Sequence, residues 1–518
     1  MYAKVWGATI NGVDGHMVAV EVDITQGLPN FEIVGLPAAS IREARERVRS
    51  AISNSGFEFP MRRIVVNLAP ADLRKEGAAL DLAIAVGILC ATGQVKLRKN
   101  KREQVLAQTL FSGELSLDGS IQAVRGTIAM AIEGLSKNIK VMATGRANAK
   151  EACAVDSMTC YVADSLKGLI QKLESQEAPE GILMDQLDFS EIDDDYADVK
   201  GQEVGKRAME IAAAGFHHVL MMGPPGAGKT MLACRLPGIL PPLRQEERLE
   251  ISKIHNIAGL LEDGHLMESR PYRAPHHTSS LIGLAGGGNP IRPGEITLAH
   301  GGVLFLDEVP EFSKASIEVL RQPLEKGYIQ ITKGNGRYRF PAQSILIMAA
   351  NPCPCGYYGD PDYVCTCLPG DIGRYERKLS GPMLDRIDLQ VFVKRPSWED
   401  LQSKEGSSDY YSSQAMRDRV MAARAIQDER FKAYNLENQG ESIHCNGHMN
   451  HRALMRFCQL TPEAQSLSNQ VFERYKMSAR AYDRLLKVSR TIADLEGADL
   501  IDTPHIAEAM SYRIMTKD

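Results

Sequence analysis

The hydrophobic and polar positions change period several times along the chain, and each change marks an element. Val18, Val20, Val22 and Ile24 alternate with other residues, which predicts a strand with one buried face. Ile41, Ala44, Val48, Ala51 and Ile52 recur at helical spacing in a segment otherwise rich in Arg and Glu, predicting an amphipathic helix. Residues 63–68 (RIVVNL) are a short β-branched run, and residues 77–93 read as a mostly buried helix. Residues 1–173 therefore form a mixed α and β domain whose sheet order the pattern does not give. Between 174 and 197, acids together with Pro179 and Gly181 break every periodicity and predict a linker. Residues 198–400 return to strand–loop–helix signals, the rhythm of a doubly wound α/β core. Residues 401–413 are polar and Ser-rich, an exposed connection, and from Gln414 onward the chain reads as helical. Its helical segments are 452–458, 462–475, 479–496 and 504–515, with Ser478 and Thr503 as candidate N-caps. No internal repeat of fixed period is present.

Composition narrows the class without choosing a function. The 518 residues carry a net charge of −5, with 44% hydrophobic and 24% charged residues. Those values exclude a largely disordered chain and a chain basic throughout, but not a local basic track. No apolar run reaches the roughly 18–20 residues of a membrane span; the longest, around residues 80–90, is short and contains Asp81. The N-terminus has no charged region followed by an apolar one, and ten cysteines are too few for a disulfide scaffold. A cytoplasmic protein without a membrane partner is expected.

The chemistry begins at Gly223, Pro224, Pro225, Gly226, Ala227, Gly228, Lys229 and Thr230, a full G-x-x-x-x-G-K-[ST] phosphate loop. It follows the strand-like run 217–222 (HHVLMM) and opens a helix over 231–236, the context the motif needs. Backbone N–H groups would approach phosphate oxygens, Lys229 would reach the β/γ-phosphates of ATP, and Thr230 would ligate Mg²⁺. About 80 residues further on, Val303–Leu306 is an apolar strand that delivers Asp307 and Glu308 at its C-terminal end. Asp307 would hold Mg²⁺, directly or through water, and Glu308 would deprotonate the attacking water. A third apolar run, Ile345–Ala350, ends at Asn351, whose amide suits both the γ-phosphate and that water. Arg386 lies between Asp385 and Asp388, either as a local ion pair or as an arginine finger for a neighbouring subunit. Arg480, near the start of a helix, is placed to reach the same phosphate from a helical lid.

These motifs occur in the order of AAA+ ATPases, which the chain resembles, and residues 198–202 (DVKGQ) resemble that superfamily's adenine-pocket entry. Residues 272–278 (YRAPHHT) and 293–300 (PGEITLAH) are similar to the magnesium-chelatase branch. Taken whole, the sequence resembles the ComM/YifB magnesium chelatase-like family. That resemblance implies an AAA+ P-loop core with an α-helical lid over 401–518, ATP and Mg²⁺ as cofactors, and a hexameric homo-oligomer. It also implies DNA as partner, with branch-migration helicase activity in recombination and natural transformation.

The N-terminal domain resembles the Lon protease domain, with residues 75–79 (KEGAA) where Lon has its nucleophile segment. Residues 113–119 (GELSLDG) and 124–130 lie where Lon leads to its catalytic lysine. The nucleophile position holds Ala79 and the lysine position Ile128; neither can attack a carbonyl or carry a proton. A scaffold or adaptor is expected, not a peptidase.

Two insertions carry candidate DNA contacts. Residues 329–331 and 338–340 bracket 332–337 (TKGNGR), a hairpin that places Lys333 and Arg337 near its tip. The resemblance implies a pore-facing hairpin; solvated charges on an exposed hairpin are the plainer account. Arg273, His276 and His277, with Arg270 and Arg292, lie in the other insertion beside Gly286, Gly287 and Gly288. Cys353, Cys355, Cys365 and Cys367 form C-x-C…C-x-C with nine residues between the pairs. The set is compatible with a tetrahedral structural Zn²⁺, with free thiols, and with a redox role. Three functions compete on these residues: a ring-forming DNA motor, a chelatase-type ATPase that remodels a metal-inserting partner, and a protein-remodelling ATPase with an inactive protease-like domain.

Overall fold

The computed structural model describes residues 1–36, 39–73, 75, 77–97, 105–175, 177–181, 194–261, 264–333, 336–379, 381–399, 409–438 and 442–513. Half of the acidic linker (182–193), much of the polar connection (401–408) and the hairpin turn residues Gly334 and Asn335 lie outside them.

The alternating residues Val18, Val20, Val22 and Ile24 are buried on one face of Asp14–Thr25, which pairs antiparallel with Tyr2–Asn11 from Tyr2↔Asp23 to Asn11↔Asp14. These two strands are the centre of a seven-stranded mixed sheet. Its order is Asn30–Val34, Arg63–Ala69, Asp14–Thr25, Tyr2–Asn11, Thr109–Phe111, Val141–Thr144 and Thr159–Val162. Helix Asp81–Ala91 is buried at every position and packs on the two central strands. Helix Ala39–Asn54 covers it with Ile41, Ala44, Val48, Ala51 and Ile52, the stripe its period predicts.

The two positions where Lon would carry its dyad come together, in apolar packing. Ala79 and Ile128 belong to one cluster with Leu110, Met130 and Met142, and Leu249, Leu261 and Leu266 from beyond the acidic linker pack onto it. The Ile128 amide also donates to Asn256 Oδ1 across this boundary (3.4 Å). Helix Gln245–Ala258 and the segment after it thus pack against the cluster that holds Ala79 and Ile128.

The second sheet has five strands, all parallel, in the order Tyr272–Arg273, Val303–Leu306, Ile345–Ala350, Val219–Met222 and Leu389–Phe392. Burial of these strands on both faces explains why they read as continuous apolar runs. The acidic segment does not stay a linker to its end. Tyr196 is fully buried and donates to the Leu232 carbonyl (2.7 Å), fastening residues 194–198 to this core. Among the described residues, helices Ser413–Glu437, His451–Phe457, Pro462–Arg474, Ala479–Leu495 and Thr503–Ser511 follow. The last begins one residue earlier than its pattern predicts, because Asp502 rather than Thr503 is the N-cap. Ser413–Glu437 and Ala479–Leu495 pack on helix Glu203–Gly215. Among the described residues no helix is long and apolar enough to cross a membrane.

Candidate active site

The phosphate loop follows Val219–Met222, the strand between Ile345–Ala350 and Leu389–Phe392, and leads into helix Lys229–Cys234. Gly226 (φ +75°) and Gly228 (φ +87°) take left-handed backbone that a side chain would strain, and this bends the loop back on itself. Lys229 is buried. Its ammonium donates to the carbonyls of Gly223 (2.7 Å) and Pro224 (2.9 Å) and to Asn351 Oδ1 (3.2 Å). Burial holds this ammonium below the usual lysine value, while Asp307 and Glu308 pull it back up.

Two oxygens from different elements meet beside it: Thr230 Oγ1 donates to Asp307 Oδ2 (3.0 Å). Asp307 Oδ1 accepts from the amide of Glu308 (2.9 Å), which fixes the carboxylate's orientation. Glu308 is a non-glycine residue at φ +48°, a conformation costing roughly 1–3 kcal/mol that the flanking strand and turn must offset. Its side chain is exposed, and its carboxylate lies 3.6 Å from His277 Nδ1. The sequence groups His277 with DNA contacts; the fold brings it to the carboxylate expected to act as base. The neighbouring His276 ring lies 4.1 Å from the His277 ring and is exposed, with Nδ1 2.8 Å from Thr278 Oγ1.

The two downstream arginines lie elsewhere. Arg386, almost fully buried, donates to Glu325 Oε1 and to the Pro382 carbonyl. Arg480 donates to the same Glu325 oxygen (3.1 Å). Among the described residues neither bonds to the phosphate loop of the same chain. The cause is the lid's packing on helix Glu203–Gly215, which carries the N-terminus of Ala479–Leu495 to Arg321–Lys326. Glu325 is not legible as a partner in the sequence: a glutamate in a short amphipathic helix gives no signal of its own.

The insertions converge. Tyr328–Lys333 pairs antiparallel with Gly336–Pro341, Lys333↔Gly336 closing the ladder, and Lys333 donates to the Gly288 carbonyl of the other insertion (2.7 Å). Lys333, Arg337 and Arg339 are exposed, and Arg339 stacks over Tyr328 (3.8 Å). Arg273 is held in a bidentate pair with Glu295 (2.6 and 2.8 Å), so its charge is already compensated. The hairpin base rests on the N-terminal domain, where Val13 joins Ile254 and Phe340 in one apolar cluster and Asp14 pairs with Lys253 (3.0 Å).

The four cysteines do meet. The Sγ of Cys353 lies 3.3 Å from that of Cys355 and 3.7 Å from that of Cys365, and Cys367 completes a group whose ligand atoms all lie within 4.8 Å. Backbone N–H groups of Tyr357 and Thr366 bring the Cys355 thiol down to about 6. The Cys355 amide pulls Cys367 the same way, but burial and the neighbouring Cys355 and Cys353 sulfurs outweigh it and push that thiol up to about 12.

With this geometry in hand, comparison with known proteins is specific. Residues 195–401 match the family described as magnesium chelatase, subunit ChlI; residues 411–513 match its C-terminal family, and residues 20–148 match subunit ChlI of Mg-chelatase. The chain is 41% identical over 506 residues to the YifB protein of Salmonella typhimurium, covering 98% of this chain and 96% of that one. It is 40% identical over 520 residues to competence protein ComM of Haemophilus influenzae, covering 99% and 98%. A shorter stretch is 30% identical over 141 residues to Lon protease 2 of Bacillus subtilis, 25% of each chain. Nearly full-length identity to these relatives, together with the matches to the core and lid families, shows that the chain belongs to the ComM/YifB family of magnesium chelatase-like AAA+ proteins.

Proposed function

We propose that the chain is an ATP-hydrolysing motor that works as a ring, gripping and moving DNA to drive branch migration in recombination. The observation that carries this reading is the division of the site. Lys229, Thr230, Asp307, Glu308 and Asn351 gather at one face, whereas Arg386 and Arg480 gather on Glu325. Such a set is completed only when the arginines of one copy meet the phosphate loop of the next, a head-to-tail contact that closes into a ring. A hexamer is the ring size of the family reading.

The residues present fit ATP with Mg²⁺. Thr230 Oγ1 and Asp307 Oδ2 supply hard oxygen donors 3.0 Å apart, as a largely hydrated Mg²⁺ requires. When bound, Mg²⁺ would neutralise charge on the β- and γ-phosphates. Lys229 exchanges its carbonyl partners for phosphate oxygens, Asn351 orients the attacking water, and Glu308 takes its proton. Arg386 and Arg480 of the adjoining copy stabilise charge on the γ-phosphate.

DNA as the substrate is supported by the name of one near full-length relative, a competence protein, and by exposed Lys333 and Arg337 on a hairpin backed by a second insertion. A ring multiplies those cations by its subunit number, so an acidic chain presents a basic channel. Cys353, Cys355, Cys365 and Cys367 are read as a structural zinc site. A chelatase-type remodeller is the second reading, favoured by the match of core and lid to subunit ChlI families. The ATPase rate with forked DNA, porphyrin or unfolded protein added separates the readings. Stimulation by forked DNA alone, falling steeply with salt, is expected; stimulation by porphyrin alone would favour the second reading.

A further inference from the structure

The cysteine loop does more than follow Asn351: it leans on the phosphate loop. Gly356, in left-handed backbone (φ +87°), lies so close to Pro225 that a Cβ added there would stand 2.6 Å from the proline Cδ. A second contact reaches the same proline. Tyr357 and Tyr363 stack on each other (5.0 Å), the Arg395 guanidinium lies over Tyr363 (4.6 Å), and Arg395 donates to the Pro225 carbonyl (3.4 Å). At its other end the loop continues directly from Asn351, which accepts from Lys229. It is therefore joined at one end to the residue that bonds Lys229 and packed at its turn against Pro225 of the phosphate loop.

The loop has little else to hold its shape. Residues 351–368 contain no helix or strand, and Val364 and Leu368 are 89% and 70% exposed, so no apolar core organises it. What lies at its centre is the sulfur group. The Sγ separations among Cys353, Cys355 and Cys365 (3.3, 3.5 and 3.7 Å) are close to the edge of a tetrahedron around zinc, about 3.8 Å for Zn–S bonds of about 2.3 Å, and the Cys367 sulfur joins them within 4.8 Å. Backbone amides of Tyr358 and Cys355 donate to the sulfurs of Cys353 (3.3 Å) and Cys367 (3.4 Å), the outer hydrogen bonds that orient thiolate ligands. In a segment of this kind the free energy of metal binding is the free energy of ordering.

We propose that the Cys353–Cys367 loop is a metal-dependent brace for the phosphate loop, so that zinc and nucleotide bind with positive coupling. The proposal rests on the reading of the four cysteines as a zinc site. Zinc fixes the turn at Gly356 and the Tyr357–Tyr363 stack, these hold Pro225, and the phosphate loop then loses less entropy when nucleotide binds. By reciprocity, nucleotide must tighten zinc by the same factor.

The test uses the full chain, purified in reductant, with Mg²⁺ held constant and zinc removed by a zinc-selective chelator. A fluorescent ATP analogue should bind about 5- to 100-fold more weakly to the stripped chain, and added zinc should restore it. Zinc loss to a chromogenic chelator should slow by a similar factor when a non-hydrolysable ATP analogue is present. The Tyr363→Ala/Arg395→Ala double variant, which keeps all four cysteines, should retain zinc yet lose most of the coupling. Equal nucleotide affinity with and without zinc would overturn the brace while leaving the zinc site standing. Absence of bound zinc in the reduced chain would overturn the site itself and the brace with it. If the stripped chain loses its circular dichroism spectrum, the double variant decides: undiminished coupling there refutes the proposal.

Discussion

Arg386 is bonded to Glu325, and Arg480 shares the same carboxylate oxygen, so one acid holds both candidate phosphate-sensing arginines of a single chain. The arrangement orients two cations toward a common point before any phosphate arrives. In the proposed ring Glu325 would stand in, within one copy, for the anion that a neighbouring copy's nucleotide supplies. Glu325→Gln keeps the size and removes the charge. The expected outcome is a roughly 10-fold lower kcat with KM for ATP little changed, because the residue orients transition-state contacts rather than ground-state binding. Steady-state kinetics of the assembled protein check this; a change confined to KM would contradict it.

Glu308 stands at the end of Val303–Leu306 with its backbone in left-handed conformation and its side chain exposed. Glu308→Gln should bind ATP with near-normal affinity and hydrolyse it about 10²- to 10⁴-fold more slowly, the range for loss of a positioned base. Single-turnover hydrolysis alongside nucleotide binding measures both. Normal turnover would remove the base assignment.

His277 touches that same carboxylate at 3.6 Å from a segment that also carries His276 and leads toward Gly286–Gly287. In the proposed mechanism an imidazole beside the exposed base would compete with the attacking water for that carboxylate until the insertion moves. His277→Ala should raise ATP turnover without DNA and flatten the stimulation by DNA. Rates compared with and without forked DNA read this out; unchanged stimulation would leave His277 with a packing role only.

Lys333 and Arg337 lie at the exposed end of the hairpin. Replacing both by Ala should weaken DNA binding and make log affinity fall less steeply with log salt, the slope shrinking by about one for each phosphate no longer neutralised. The DNA-dependent increment of ATP turnover should fall with it. Fluorescence anisotropy across a salt series checks the slope, and an unchanged slope would take these two cations off the DNA.

Ile128 and Ala79 occupy a sealed apolar cluster rather than an open cleft. Ile128→Lys would place an unpaired ammonium there, and destabilisation of about 3–5 kcal/mol is expected. Ala79→Ser adds only one hydroxyl and should cost about 1–2 kcal/mol. Urea denaturation followed by circular dichroism compares the two, and equal stability of Ile128→Lys and the parent would show that the cleft is open.

Much of this architecture is legible in single residues. The G-x-x-x-x-G-K-T loop and the buried runs before Asp307 and Asn351 identify themselves, because parallel strands covered on both faces are apolar throughout. Other relationships do not show, for physical reasons. The order of the mixed N-terminal sheet depends on pairings between distant segments. Helix Ser413–Glu437 buries Met416, Val420, Ala423, Gln427, Phe431 and Tyr434 among many charges, so its stripe is diluted. Arg480 reads as a lid residue aimed at the same phosphate as Arg386, but that the two share Glu325 within one chain depends on the packing of Ala479–Leu495 against Glu203–Gly215, which no local pattern shows. His277 reaches Glu308 only because Tyr272–Arg273 pairs beside Val303–Leu306.

The claim that the active site is completed between copies is tested most directly by mixing two inactive chains. Lys229→Ala disables the phosphate loop and leaves the arginines intact; Arg386→Ala does the reverse. Mixed in equal amounts, the two should regain ATPase activity well above either alone, because some interfaces then join an intact loop to an intact Arg386. A mixture no more active than its separate components, under conditions where both variants co-assemble, would contradict the account.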